Sequence, residues 1–201
     1  MPRVTSHMSM SLDGFVAGPD QTAEQPLGRN GIELHYWHLR ADEPGYEAGI
    51  AARDELLRPM GAYVMGRNMF GPIRGEWDAD WRGWWGDDPP YHAPVFVLTH
   101  HPRESIEMDG GTTFHFVTDG FAAALERAQD AAGDLDVDIA GGASAVRQAL
   151  EVDALDDLYL DIIPVLLGSG ESMFTGLRDL RMTPHAVTHS PHATHIHYVL
   201  H

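Results

Sequence analysis

Asp136-Val137-Asp138-Ile139-Ala140-Gly141-Gly142-Ala143-Ser144 is the stretch on which the fold turns. A short run rich in β-branched residues, 136–140, stops at a glycine pair and passes into a helical pattern from Ala143 to Leu150. Strand, glycine and helix start in that order let backbone approach a ligand and leave helix N–H groups pointing at it. Tyr63-Val64-Met65-Gly66-Arg67-Asn68 repeats the arrangement at the end of a strand over Ala62 to Met65, with Arg67 adding a fixed charge. Further strands are expected over 3–10, Pro94 to Thr99, Thr113 to Val117 and Leu158 to Ile163. Helices are expected over Tyr46 to Met60, stopped by Pro59-Met60-Gly61, and over Gly120 to Ala132, capped by Asp119 and striped by Phe121, Leu125 and Ala128. Strands alternating with helices imply parallel pairing through crossovers, hence an α/β class. Arg181 to His189 and Ala193 to Leu200, around Ser190-Pro191-His192, instead imply an antiparallel hairpin closing a sheet of about eight strands. Without a repeat, a low-complexity tract or a dividing linker, 1–201 is expected to be one domain. The long irregular stretches 17–45 and 71–93 are of a size that usually carries function.

Composition narrows the chemistry. The 201 residues hold 13 basic and 30 acidic side chains, for a formal charge of −17, and no cysteine. Disulfides and thiolate metal sites are thereby excluded. All 13 basic residues are arginines, which removes lysine Schiff-base chemistry and the P-loop lysine. The acidic balance opposes nucleic acid and anionic membrane as partners. No apolar run suits a signal peptide or a membrane span, so a cytoplasmic location is expected.

Two glycine corners in one parallel sheet can cradle the phosphates of a dinucleotide at the strands' C-terminal ends, although neither is a G-x-G-x-x-G fingerprint. Val95-Phe96-Val97-Leu98-Thr99-His100-His101-Pro102-Arg103 adds a buried strand that ends in hydroxyl, imidazole and guanidinium groups, a set suited to a phosphomonoester. Each corner alone is equally compatible with an ordinary strand–helix turn.

In this order the segments resemble the dihydrofolate reductase-like superfamily, in its branch related to the C-terminal reductase domain of riboflavin biosynthesis. The resemblance is carried by Ser11-Leu12-Asp13-Gly14-Phe15-Val16-Ala17-Gly18, Met65-Gly66-Arg67, Leu98-Thr99, Ile139-Ala140-Gly141-Gly142 and the run Leu158 to Gly170. It implies a three-layer fold with a mixed, mostly parallel central sheet. It also implies an NADPH-dependent reductase of a small heterocycle, in the manner of 5-amino-6-(5-phosphoribosylamino)uracil reduction. Gly66, Arg67 and Asn68 would then hold phosphate, with Thr99 and His100 completing the adenosine side. Gly141, Gly142, Ala143 and Ser144 would run along the pyrophosphate. Ser9, Asp13 and Ala17 would line the nicotinamide and substrate mouth, with Asp161 facing the substrate and Asp161 or Asp13 handling a proton. An Asp161 buried there would titrate above its ordinary value unless donors stabilised its charge. Folate reductases carry an acid on the first long helix where this chain has Gly49-Ile50, so dihydrofolate is expected to be a poor substrate. The competing expectation is a non-catalytic nucleotide-binding or dimeric interaction protein on the same fold.

Trp77, Trp81, Trp84 and Trp85 fall in one segment, read as surface packing or a homodimer contact in preference to a lid. His195, His197 and His201 share a strand face with Val199 and are expected to be solvated rather than to bind metal, since no carboxylate stands in register with them.

Overall fold

Side-chain alternation along the first strand divides the molecule into its two halves. In the computed structural model, which describes residues 2–71 and 75–200, β1 (Val4–Ser11) turns Val4 and Met8 to one face and Thr5, His7 and Ser9 to the other. The remaining strands are β2 (Ala62–Gly66), β3 (Pro94–Leu98), β4 (Ile106–Glu107), β5 (Thr113–Val117), β6 (Val137–Gly141), β7 (Asp157–Ile163), β8 (Thr183–His189) and β9 (Thr194–Val199). They form one sheet in the order β4-β5-β3-β2-β6-β1-β7-β9-β8. Pairing is parallel from β5 through β7 and antiparallel at both ends. The fold is thus the α/β three-layer one, with a ninth strand. The extra strand, β4, is two residues long, too short to leave a pattern in sequence.

On the Val4 face lie α4 (Phe121–Ala132) and α5 (Ala143–Glu151). Their buried alanines, among them Ala124, Ala128, Ala145 and Ala149, bring the helix backbones close to Val64, Ile139, Leu158 and Leu160. The opposite face is divided. Over β2, β3 and β5 it is apolar, and Met65, Val95, Val97 and Phe114 form a second core with Phe70 of α3 (Arg67–Phe70), covered by Trp77, Trp81 and Trp85. Over β6, β1, β7 and β9 the same face carries Asp138, Thr5, His7, Asp161 and His195, with Trp37 of α1 (Tyr36–Leu39) packed beside it.

Three local expectations change. The helix expected over 46–60 is a 3-10 turn, Glu47–Gly49, followed by α2 (Ile50–Leu56) with no fully buried residue, consistent with its mixed apolar spacing. Asp119 does not cap α4; it pairs with Arg127 at 2.7 Å, and Gly120 occupies the cap position. The C-terminal histidine face is not solvated. His195 is buried, and Asp161 lies directly across the β7–β9 ladder from it, the carboxylate in register that the sequence pattern did not reveal. His197 bonds Asp157 at 2.7 Å, and His201 lies outside the described residues, as do 72–74 of the stretch 71–93. At the far edge all seven residues of β8 are exposed, and its register with β9 slips between Pro184 and Ala186.

Candidate functional site

Because β2 and β6 are neighbours, the two glycine corners stand side by side. Met65 pairs with Gly141, and a Cβ on Gly66 would lie 3.6 Å from the Gly142 amide nitrogen. Behind them begin α3 and α5. Beyond β3, two strands from β2, the strand that ends at Val117 leads through Thr118 and Gly120 into α4. Neither α4 nor α5 has a side-chain cap or an acidic residue in its first turn. Both helix starts therefore offer amide donors and positive dipole ends without competition from the chain's own carboxylates.

A cavity of about 950 Å³ opens at these corners, near the top of the ~300–1,000 Å³ usual for small-molecule and cofactor sites. Gly66, Arg67, Asn68, Thr99, His100, Gly142, Ala143 and Ser144 line it, as do Ser9 and Ala17. Ser9 is fixed by the Trp37 indole N–H, which donates to its hydroxyl at 2.9 Å, and Ala17 by a bridge to Glu171. The Arg67 guanidinium lies 3.6 Å over the Trp77 ring, with Arg103 5.4 Å from the same ring. The Trp-rich segment thus packs on the sheet and stacks on the arginine of the corner, while Trp84 and Trp85 reach the cavity wall.

Gly141, Asp13 and Asp161 are not on that wall. Asp13 organises a turn: its carboxylate accepts from the Ser11 hydroxyl at 2.6 Å and from the amides of Leu167 and Gly168 at 3.1 and 2.7 Å. These bonds, the Ser11 one foremost, hold it below the usual carboxylate range. Asp161 is shut between two imidazoles, His195 Nδ1 at 2.6 Å and His7 Nε2 at 2.8 Å. Burial pushes its carboxyl up, but the two donors together outweigh burial and leave it below its ordinary value. The expected upward shift of Asp161 therefore does not occur, because its donors are present.

The rest of the polar face was not legible in the sequence. His7 lines the cavity above Asp161. His35 and His38, bonded to each other at 3.1 Å, line it from the α1 side, and burial lowers each to about 4, so both are neutral at ordinary pH. Asp138, also on the wall, is 8% exposed. Burial pushes its carboxyl up to about 7, against the nearby His7 and a hydrogen bond donated by the Thr5 hydroxyl at 3.4 Å. The available signal was the strand period, which places Asp138 on the same face as Ala140 and opposite Ile139. Gly49 packs against Trp37, where a Cβ would sit 3.3 Å from the Trp37 carbonyl oxygen, so a side chain at that point beside α2 would need Trp37 to give by a few tenths of an ångström. Among the described residues no group of three or more His, Cys, Asp or Glu side chains is arranged to hold a metal ion, and no helix is long and apolar enough to cross a membrane.

The model of the RibD C-terminal domain family matches residues 2–196. An uncharacterized protein, YwjB, of Bacillus subtilis (strain 168) is 32% identical over 112 residues, 55% of this chain and 62% of that one. Among solved structures, a protein of Shewanella sp. PV-4 ascribed to riboflavin biosynthesis aligns over 99% of both chains, with a TM-score of 0.68 and 22% identity. The diaminohydroxyphosphoribosylaminopyrimidine deaminase/5-amino-6-(5-phosphoribosylamino)uracil reductase of Thermotoga maritima aligns over 100% of this chain and 57% of its own, with a TM-score of 0.56 and 15% identity. A pyrimidine reductase-like protein of Corynebacterium diphtheriae aligns over 100% and 92%, with a TM-score of 0.55 and 14% identity.

Proposed function

Since the chain belongs to the RibD C-terminal domain family, we propose that it is an NADPH-dependent reductase of a small heterocycle, of the ribosylaminopyrimidine class named for the Thermotoga protein. The observation that carries this is the convergence on one cavity of two uncapped helix starts, two glycine corners and Arg67. These residues fit a dinucleotide: Gly142, Ala143 and Ser144 would take the pyrophosphate at the α5 start, and Gly66, Asn68, Thr99 and His100 the adenosine side. Arg67 would meet the 2′-phosphate from its seat on Trp77. When bound, the cofactor supplies hydride; everything else is the protein's work of positioning and charge. Ser9 and Ala17, held by Trp37 and Glu171, form the mouth at which the ring to be reduced would lie.

Burial and the nearby Arg103 both disfavour the charged form of Arg67, with Glu76 opposing them. A doubly charged phosphate would relieve that repulsion. A charge-assisted hydrogen bond is worth ~1.5–3 kcal/mol, or roughly one to two decades in dissociation constant. NADPH is therefore expected to bind more tightly than NADH, and Arg67→Ala to reduce that preference by about ten- to a hundredfold in fluorescence titrations. Equal affinity for the two cofactors in the unmutated chain would contradict the assignment. NADPH oxidation against a panel of heterocycles tests the activity itself. Tight NADPH binding with no turnover on the panel would favour a non-catalytic nucleotide-binding protein.

A further inference from the structure

Reduction of a C=N or an opened ribose imine consumes one hydride and one proton, and the residues above account for the hydride only. We propose that Asp138, in the cavity wall, hydrogen-bonds the ring of the heterocycle and gives it the proton that accompanies hydride. This rests on the reductase function proposed above. Four features of the structure support it. Asp138 stands on β6, three residues before Gly141 at the end of the strand whose glycine pair opens α5, and the carboxyl and the Gly142 corner share one cavity. It is nearly buried, and among the described residues its carboxyl meets no cation in an ion pair, since Arg58, the arginine that acts on it, is already engaged by Glu55 at 2.9 Å and Asp136 at 3.0 Å. Among the described residues its one hydrogen-bond donor is the Thr5 hydroxyl at 3.4 Å, a long contact. Asp161, on the same face two strands away, holds the opposite state, ionised between His7 and His195. Two carboxyl groups on one face whose surroundings drive their protonation apart are the arrangement by which acid and base roles are separated in one site.

The step balances without further reagents. Hydride from the reduced nicotinamide forms the new C–H bond, the C=N π pair takes the carboxyl proton to form N–H, and the cofactor leaves oxidised. The Asp138 carboxylate then recovers a proton from water. The ionisable groups facing Asp138 are His7 from β1, Tyr63 from β2, Tyr91 from the segment before β3, and Arg58 beyond α2. Burial raises both tyrosines, Tyr63 to about 12, so they stay neutral and compete with Asp138 for no proton near pH 7. His7, bonded to Asp161, is the neighbour whose charge opposes the shift.

Two measurements test this. Carboxyl carbon NMR of the 13C-aspartate-labelled chain, without cofactor or substrate, should show one resonance with a midpoint near pH 7 that is missing in Asp138→Asn; a midpoint below pH 5 overturns the proposal. With 5-amino-6-(5-phosphoribosylamino)uracil as probe, NADPH oxidation should fall by about tenfold between pH 6 and pH 8. Asp138→Asn should lower kcat by ~10²-fold or more with NADPH affinity within twofold, and Asp138→Glu should restore part of it. Full turnover in Asp138→Asn overturns proton donation while leaving the reductase function standing. An unmutated chain that binds NADPH but reduces neither the probe nor the heterocycle panel overturns both.

Discussion

Asp138→Asn should make the folded chain more stable, and increasingly so as pH rises. The folded-state value of about 7 lies above the ordinary 3.8, so the folded chain holds this proton where the unfolded chain releases it. Stability then falls as pH rises from about 4 to about 7 and levels off above. Some three pKa units at ~1.4 kcal/mol each set an upper figure of about 4 kcal/mol for the strain an ionised Asp138 places on the fold at pH 8. Asparagine keeps the shape and the bond from Thr5 without the charge. Thermal unfolding should show nearly equal midpoints for the two proteins at pH 4. At pH 8 the variant should be higher by roughly 2–4 °C per kcal/mol recovered. Parallel stability curves across this range would mean that Asp138 ionises at no cost. A residue that weakens the fold and faces a cavity is what a stability–activity trade-off looks like at one position.

Asp161→Ala should do the reverse. Its carboxylate is the shared acceptor of His7 and His195, and both rings already leave their other nitrogen, Nδ1 of His7 and Nε2 of His195, buried without a partner among the described residues. Removing one member of such a buried set costs about 3–5 kcal/mol. Asp161 lies below its ordinary value in the fold, so its contribution is complete above the unfolded-state value. It is lost as pH falls through the lower folded-state one. Urea unfolding should therefore separate the unmutated chain from Asp161→Ala by several kcal/mol at pH 6, with the gap closing below about pH 4. A difference under 1 kcal/mol at pH 6 would show that the imidazoles find other acceptors. Asp161→Asn, which can still accept from one ring, should lose less.

Local signals carried the parallel sheet. The runs that became β2 and β3 are apolar throughout, and that of β6 is apolar but for Asp138, as strands buried on both faces are, and glycine punctuated the ends of β2 and β6. Where function collects, the same signals are weak. Thr5, His7 and Ser9 alternate with Val4, Met8 and Met10 as a solvent-facing strand would. Only the arrival of Trp37 from the stretch 17–45, whose own pattern is irregular, turns that face into an interior. For the same reason His195 looked like a surface residue: its partner Asp161 is 34 positions away, and the β7–β9 register joining them is a tertiary fact. Asp138 sits inside the very stretch that decides the fold, but a lone acid in a strand acquires its meaning from Thr5, His7 and Tyr63 on neighbouring strands. The glycine corners were legible because their chemistry is backbone chemistry and lies within a few consecutive residues.

The exposed strand β8 bears on how the protein behaves when concentrated. An open sheet edge is a template on which another chain can add by main-chain hydrogen bonding, and Val187, 59% exposed, would reward that addition. Pro184 brings no N–H, and the slip in register past His185 breaks the regular spacing of the row. The edge is thereby blunted against strand-by-strand growth, at the cost of one ladder position. Pro184→Val, which restores a donor and adds a β-branched side chain, should leave the fold intact while raising light scattering at high protein concentration; unchanged scattering would place the protection elsewhere, in the chain's strong negative charge.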